Sequence, residues 1–250
     1  METSPKILIG IITYDSDWYC LKQFAESIAQ LDTAGLHTHI LIVDNSDKDT
    51  YTKHLAKFFP NSTIIYYKPP DDKKGFDRFR HCELECRKQV KDYAIKHSFD
   101  YLFFIDSDVI CDSDVLQKLY SRKKDIVCGL FRFVAPPAGR PVWFRKKLPI
   151  EISKETGVWH ITFIHNEELK KCGSNLLEID ACGFGAILIS QEILKKVKFQ
   201  HSKNKHYGVD IHFCFDAKLL GYRIFGDPTA KCNHLYKQCA RRRESNAQAF

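Results

Sequence analysis

No two cysteines of this chain stand in a Cys-x-x-Cys step, no apolar run approaches the width of a bilayer, no block of like charge forms, and no segment repeats. Each absence closes a class of protein. Without close pairing, the ten cysteines (20, 82, 86, 111, 128, 172, 182, 214, 232 and 239) do not spell a zinc module. Cys128, Cys182 and Cys214 fall at apolar positions, where a free thiol packs as a small hydrophobe. The longest strongly apolar runs, Ile7 to Ile12 and Tyr101 to Ile105, are far too short to span a membrane. The N-terminus lacks the pattern of a secretory leader, so the expectation is a cytoplasmic protein in a reducing setting, without a transmembrane segment. Peripheral membrane contact stays open. The net charge is +7, from 38 Lys and Arg against 31 Asp and Glu. It is scattered over short clusters, which suits a small anionic ligand and not a nucleic acid, whose binders gather charge on one face. The basic stretch Cys239 to Arg243 reads as a solvated tail.

What is present is regular. At 250 residues and 44% hydrophobic, the chain can build one large α/β domain. Apolar β-branched runs alternate with amphipathic segments: strands at Ile7 to Ile12, His39 to Val43, Thr63 to Tyr67 and Tyr101 to Ile105, with helices at Tyr19 to Leu31, Tyr51 to Phe59 and Asp77 to His97. This predicts a mostly parallel, Rossmann-like sheet flanked by helices. The second half is less regular. It offers a strand at Ile126 to Arg132, a basic, Pro-containing loop from Phe133 to Lys147, a hairpin around Val158 to Ile164 and a strand at Leu176 to Ala181. Helices at Gln191 to Val197 and Val209 to Leu220 then precede a last strand near Arg223 to Phe225.

In open α/β sheets, ligands gather beyond the carboxyl ends of the strands. Acidic residues cluster there: Asp15 and Asp17 after the first strand, Asp44 and Asp47 after the second, Asp106 and Asp108 after the fourth. In F-F-I-D-S-D-V, the period of two turns both carboxylates to one face, where they can hold a divalent cation and leave positions open for phosphate oxygens. A solvated turn is the competing reading of the same triplet.

The triplet and its flanks resemble the GT-A fold glycosyltransferases, most closely the inverting, nucleotide-sugar-dependent family 2. The likeness extends to I-G-I-I-T-Y-D at Ile9 to Asp15, I-V-D-N-S-D at Ile42 to Asp47, C-R-K-Q-V-K-D-Y-A around Arg87, E-I-D-A-C-G-F-G-A-I-L-I-S at Glu178 to Ser190, and the helix opening at G-V-D around Asp210. The resemblance implies a GT-A fold with a small antiparallel acceptor-side element. It implies a single domain over 1–250, divided into a nucleotide-sugar-binding half (1–125), an acceptor-side half (126–238) and a basic tail (239–250).

By resemblance, Thr13, Tyr14, Asp44, Arg87, Asp106 and Asp108 bind the donor, a UDP- or GDP-linked sugar. Asp106, Asp108 and His234 hold Mn²⁺ or Mg²⁺, the imidazole tilting the choice toward Mn²⁺. Gly183 and Phe184 lie on the acceptor side, and Asp210 is the general base for hexosyl or related transfer to a glycan, lipid or protein hydroxyl. Three positions depart from the family pattern: Asn45 for a second Asp, Lys88 for Asn, and Val209 for Glu. They leave room for a catalytically inactive nucleotide-sugar-binding module. A sugar nucleotidyltransferase is disfavoured because Lys6 to Asp17 lacks a Gly-rich phosphate loop. The Phe133 to Lys147 loop, with Arg140, Arg145, Lys146 and Lys147, is a candidate lid over the diphosphate, and Trp143 or Trp159 a candidate platform for a sugar face.

Overall fold

The computed structural model describes residues 4–133, 139–149, 152, 155, 159–201 and 207–235. Strand β1 (Lys6–Thr13) is apolar along almost its whole length because both of its faces are covered, and it pairs in parallel with β2 (His37–Asp44) and β4 (Tyr101–Asp106). Strand β3 (Thr63–Tyr66) extends the parallel set beyond β2. After a 3-10 turn at Asp15–Tyr19, helix α1 (Leu21–Ala29) buries Leu21, Phe24, Ala25 and Ile28, the stripe expected at a period of 3.6 residues. Helix α2 (Thr50–Phe58) precedes β3, and the 22-residue helix α3 (Gly75–Lys96) leads into β4.

Helix α3 lies close to the sheet because β1 has glycine where it passes. A Cβ on Gly10 would come 2.4 Å from a Val90 methyl and 2.9 Å from one of Leu102. The same helix thus presents Cys86, Val90 and Ala94 to the core, and carries Glu83 and Arg87 to the carboxyl end of β4.

The second half adds β5 (Val109–Cys111), α4 (Val115–Ser121), β6 (Ile126–Leu130), β7 (Trp143–Lys146), β8 (Ile161–Phe163), α5 (Asn166–Cys172), β9 (Leu177–Ile179), β10 (Ala181–Cys182), β11 (Ala186–Ser190), α6 (Gln191–Lys196), α7 (Val209–Leu219) and β12 (Ile224–His234). The main sheet runs β3-β2-β1-β4-β11-β6-β12-β5, with β9 also on β12; β10, β7 and β8 form a small antiparallel sheet. Strand β11 is antiparallel to both of its neighbours, β4 and β6. The architecture is the expected α/β sheet, mostly parallel in its first half, with a small antiparallel element. One buried hydrophobic cluster runs from Ile7 through Ala230, and it includes Cys128, Cys182 and Cys214, all fully buried as apolar filling.

Several expectations are corrected. The strand foreseen at Leu176 to Ala181 is two strands, β9 and β10, in different sheets. Of the hairpin foreseen near Val158 to Ile164, Val158 lies outside the described residues, and Ile161–Phe163 form strand β8, whose partner β7 comes from the basic stretch. The last strand is far longer than foreseen, because it changes partners. It runs parallel to β6 through Phe225 and Asp227, bends between Asp227 and Lys231, and then pairs antiparallel with β5. Asp227 holds the bend, accepting from Arg122 Nε at 2.7 Å and from Thr229 N and Oγ1 at 2.9 and 2.7 Å. Among the described residues, no helix is long and apolar enough to cross a membrane.

Candidate active site

In the order β3-β2-β1-β4, the chain reverses its direction of sheet growth between β1 and β4, and a crevice opens beyond their carboxyl ends. A cavity of about 620 Å³ lies there. Thr13, Tyr14 and Asp17 line it from the end of β1, Asp106, Ser107 and Asp108 from the end of β4, Glu83 and Arg87 from α3, Asp210 from α7 and His234 from β12.

The two carboxylates of the Asp106-Ser107-Asp108 triplet line the same cavity and have different hydrogen-bond partners. Asp106 Oδ1 accepts from Arg87 Nη2 at 3.2 Å, whereas Asp108 Oδ2 lies 3.0 Å from His234 Nε2. Strand β4 ends at Asp106, so the alternation that would align the two residues stops between them. Between them, Ser107 donates to Asp17 Oδ2 at 2.5 Å. The antiparallel pairing of β5 with β12 sets His234 opposite Val109, and so beside Asp108, across 126 residues of sequence. Burial works against a charge on His234, but the Asp108 carboxylate outweighs it and raises the imidazole above its usual pKa. Among the described residues, no three His, Cys, Asp or Glu side chains converge closely enough to enclose an ion by themselves.

Arg87 is buried, with its guanidinium over the rings of Phe184 at 5.0 Å and Phe104 at 5.5 Å. Burial disfavours its charge; the neighbouring Asp106, Glu83 and Asp210 more than offset this and raise its pKa. Its Nη1 is buried without a hydrogen-bond partner. Three acids thus face one base. The consequence falls on Asp210, whose carboxyl is pushed up to about 7 by burial and then by the charge of Glu83, against the opposing pull of Arg87. Glu83, whose Oε1 is 3.5 Å from Arg87 Nε, is raised as well, chiefly by burial. Asp17 is raised to about 6, again by burial first, with the Ser107 hydrogen bond working the other way.

Asp210 also lines a second cavity, of about 690 Å³, between α3, the small sheet and the start of α7. Glu83 and Phe79 are shared by both cavities in the same way. A Cβ on Gly183 would lie 2.8 Å from a Val142 methyl and 3.6 Å from Asp210 Oδ2, so glycine here lets the chain pass beside the carboxylate. Gly185 serves packing, its absent side chain leaving room for the Phe131 ring.

Other expected site residues are placed differently. Asp44 is fully buried and does not line the cavity; it accepts from Ser46 N at 2.9 Å, Ser46 Oγ at 2.5 Å and Thr52 Oγ1 at 2.6 Å, which fixes the turn after β2. Asn45, Ser46 and Asp47 reach the cavity instead, Asp47 paired with Arg78. Phe184 is 1% exposed and lines neither cavity, its ring filling the core beneath Arg87. Trp143 is fully buried with Nε1 donating to Gly129 O at 3.1 Å, and Trp159 is buried against Phe215, so neither offers a face to a sugar.

In the loop expected as a lid, Arg145 of β7 is tied to Glu168 of α5 and to the Glu178 carbonyl of β9, and none of residues 139–147 lines the first cavity. Residues 134–138 and the tail 239–250 lie outside the described residues. The sequence reading missed Glu83 and the burial of Asp17, because an acid on a charged helix or in a polar turn looks solvated. The only signal was that Glu83 stands four residues before Arg87.

A solved structure with a similar fold is a crystal structure of GalNAc-T7 with UDP, GalNAc and Mn²⁺, at a TM-score of 0.62 and 12% identity, the match covering 94% of this chain and 44% of that one. The chain therefore spans less than half the length of that protein. A197 from STIV matches at a TM-score of 0.49 and 16% identity, over 93% of this chain and 86% of that one. Comparison with curated protein sequences found no match. A family model described as glycosyl transferase family 2 matches residues 8–197, the segment that holds β1, Arg87 and the Asp106-Ser107-Asp108 triplet. With three quarters of its length matched and its fold of GT-A type, the chain belongs to glycosyl transferase family 2.

Proposed function

We propose that this chain moves a sugar from a nucleoside-diphosphate sugar to an acceptor hydroxyl, with a divalent cation and with inversion at the anomeric carbon. The observation that carries this reading is the position of Asp210, a carboxylate poised near neutrality where two cavities meet. The first of these is lined with Asp106, Asp108, His234 and Arg87.

A donor in the first cavity would set its diphosphate near Arg87, whose unpartnered Nη1 is a buried donor suited to an anion. Asp108 and His234, with the second oxygen of Asp106, fit a cation held jointly with phosphate oxygens, and not a closed structural site. The GalNAc-T7 structure, which contains UDP and Mn²⁺, supports the choice of a nucleotide-sugar donor and a divalent cation. When bound, such a cation acts as a Lewis acid toward the diphosphate.

The acceptor hydroxyl enters from the second cavity and hydrogen-bonds Asp210. As its oxygen bonds to the anomeric carbon, its proton passes to Asp210, and the carbon–oxygen bond to the diphosphate breaks with its electron pair leaving on the phosphate. Attack from the face opposite the leaving group inverts the centre. Arg87, fixed by Asp106, Glu83 and two aromatic rings, meets the developing charge without reorganising.

The test is release of nucleoside diphosphate from UDP- and GDP-sugars with Mn²⁺, with Mg²⁺ and with a chelator. Cation-dependent release supports the transferase. Tight nucleotide-sugar binding with no turnover under any of these conditions, and with any acceptor panel, would overturn it in favour of a binding module.

A further inference from the structure

The second cavity has a composition that says what it takes. Of its lining side chains, Phe76, Phe79, Phe133, Phe144, Phe163 and Tyr207 are aromatic, and Val142, Ile161 and Ile211 are aliphatic. Phe76 and Phe79 stack on each other at 6.4 Å and remain 60% and 55% exposed, the two most exposed phenylalanines among the described residues. Opposite them, Phe163 packs edge-on to Phe133 at 5.3 Å and tilted against Phe144 at 5.0 Å. Two aromatic walls thus face each other across a gap, and Phe76 and Phe79 keep more than half of their surface exposed, with the Arg80 guanidinium 5.8 Å from the Phe76 ring.

Five polar side chains complete the lining. Glu83 and Asp210 occupy the end shared with the first cavity, Arg80 lies with its guanidinium by the Phe76 ring, and Thr162 and Lys147 belong to the small-sheet wall. The Tyr207 hydroxyl already donates to the Trp159 carbonyl. A free oligosaccharide lying along the walls would set many of its hydroxyl groups against the six aromatic and three aliphatic side chains, with only these five polar residues to pair them, which is costly. A flat apolar body would meet favourable ring contacts throughout.

Building on the transferase reading, we infer that the acceptor is an amphipathic aryl compound, its reactive hydroxyl at Asp210 and its aromatic ring held between Phe76 and Phe79 on one side and the small sheet on the other. This assigns the second cavity a ligand class: an aromatic aglycone bearing the hydroxyl directly or through one sugar.

The test does not need turnover. Binding of 4-nitrophenyl β-glucoside, 4-nitrobenzyl alcohol, methyl β-glucoside and maltotriose to the full chain is measured by saturation-transfer NMR. The two aryl probes are expected to bind and the two carbohydrates without an aryl group are not. Phe76→Ala, at an exposed position where folding is not at stake, is expected to weaken aryl binding roughly 3- to 10-fold, the value of one lost ring contact. It should leave the nucleotide-induced thermal shift unchanged. Equal binding of aryl and methyl glucosides, or aryl binding indifferent to Phe76→Ala, would overturn the inference. Loss of cation-dependent donor release in the wild-type chain would instead count against the transferase reading, and the two failures are read in different assays.

Discussion

Burial of an acid makes stability depend on pH, and Asp17 is placed to show the sign. Its folded-state pKa, about 6, stands above the ordinary 3.8, so its contribution is most favourable below 3.8, where both states are protonated, and is lost as pH rises through 6. Near pH 8 the charged carboxylate costs on the order of 2–3 kcal/mol. Asp17→Asn keeps an acceptor for the Ser107 hydroxyl and removes that charge. The expected outcome is a melting temperature several degrees above wild type at pH 8 and little changed at pH 4, measured by scanning calorimetry. An equal shift at both pH values would show that the charge is not the cause.

Asp210 responds to its neighbours in the opposite experimental direction. As a base it works when deprotonated, so kcat/KM is expected to rise with pH through an acid limb near 7. Removing the Glu83 charge lowers that limb: Glu83→Gln shifts it to lower pH, whereas Asp210→Asn lowers kcat about 10²- to 10⁴-fold and leaves donor binding in place. A limb unmoved by Glu83→Gln would mean that the two acids do not share a field. The expectation of a base at Asp210 came from its place in a G-V-D helix opening, but its dependence on Glu83 comes from an approach of α3 to α7 that no local pattern encodes.

Among elements, the parallel first half was readable almost to the residue. Strands β1 and β4 are covered on both faces and read as apolar runs, and α1 shows one apolar stripe. The second half hid its pairing, because β9, β10 and β8 are two or three residues long and carry no period. The bend in β12 depends on Arg122, more than a hundred residues away, holding Asp227. Gly10 was visible only as a gap in an apolar run, yet it sets how closely α3 approaches. Gly10→Ala is expected to destabilise by about 1–3 kcal/mol through overpacking on Val90. Because α3 carries Glu83 and Arg87, it should also lower kcat. Adding Val90→Ala, which removes the clashing methyl groups, should recover much of both losses, as contacting positions couple. Two independent, additive losses in denaturant unfolding would show that the helix does not rest on Gly10.

At the scale of the whole molecule, the family match ends at residue 197, while two of the groups in the proposed chemistry, Asp210 and His234, come after it. The later segment also holds the fold together. Strand β12 lies inside the sheet between β6 and β5 and also closes β9, while α7 buries Val209, Phe213, Cys214 and Ala217 completely. Ending the chain at Val197 would leave the ladder groups of β6, β5 and β9 without partners and expose the floor beneath Arg87, where Phe184 packs against Phe213 at 5.2 Å. The matched segment alone is therefore expected to show no cooperative thermal unfolding and no nucleotide-induced stabilisation. The full chain should gain about 2.7 kcal/mol at a nucleoside diphosphate concentration 100 times its Kd. A truncated chain that melts cooperatively and still responds to nucleotide would mean that the donor site is built without β12. His234 would then be dispensable to the cation, and the Asp108–His234 contact would be a feature of packing alone.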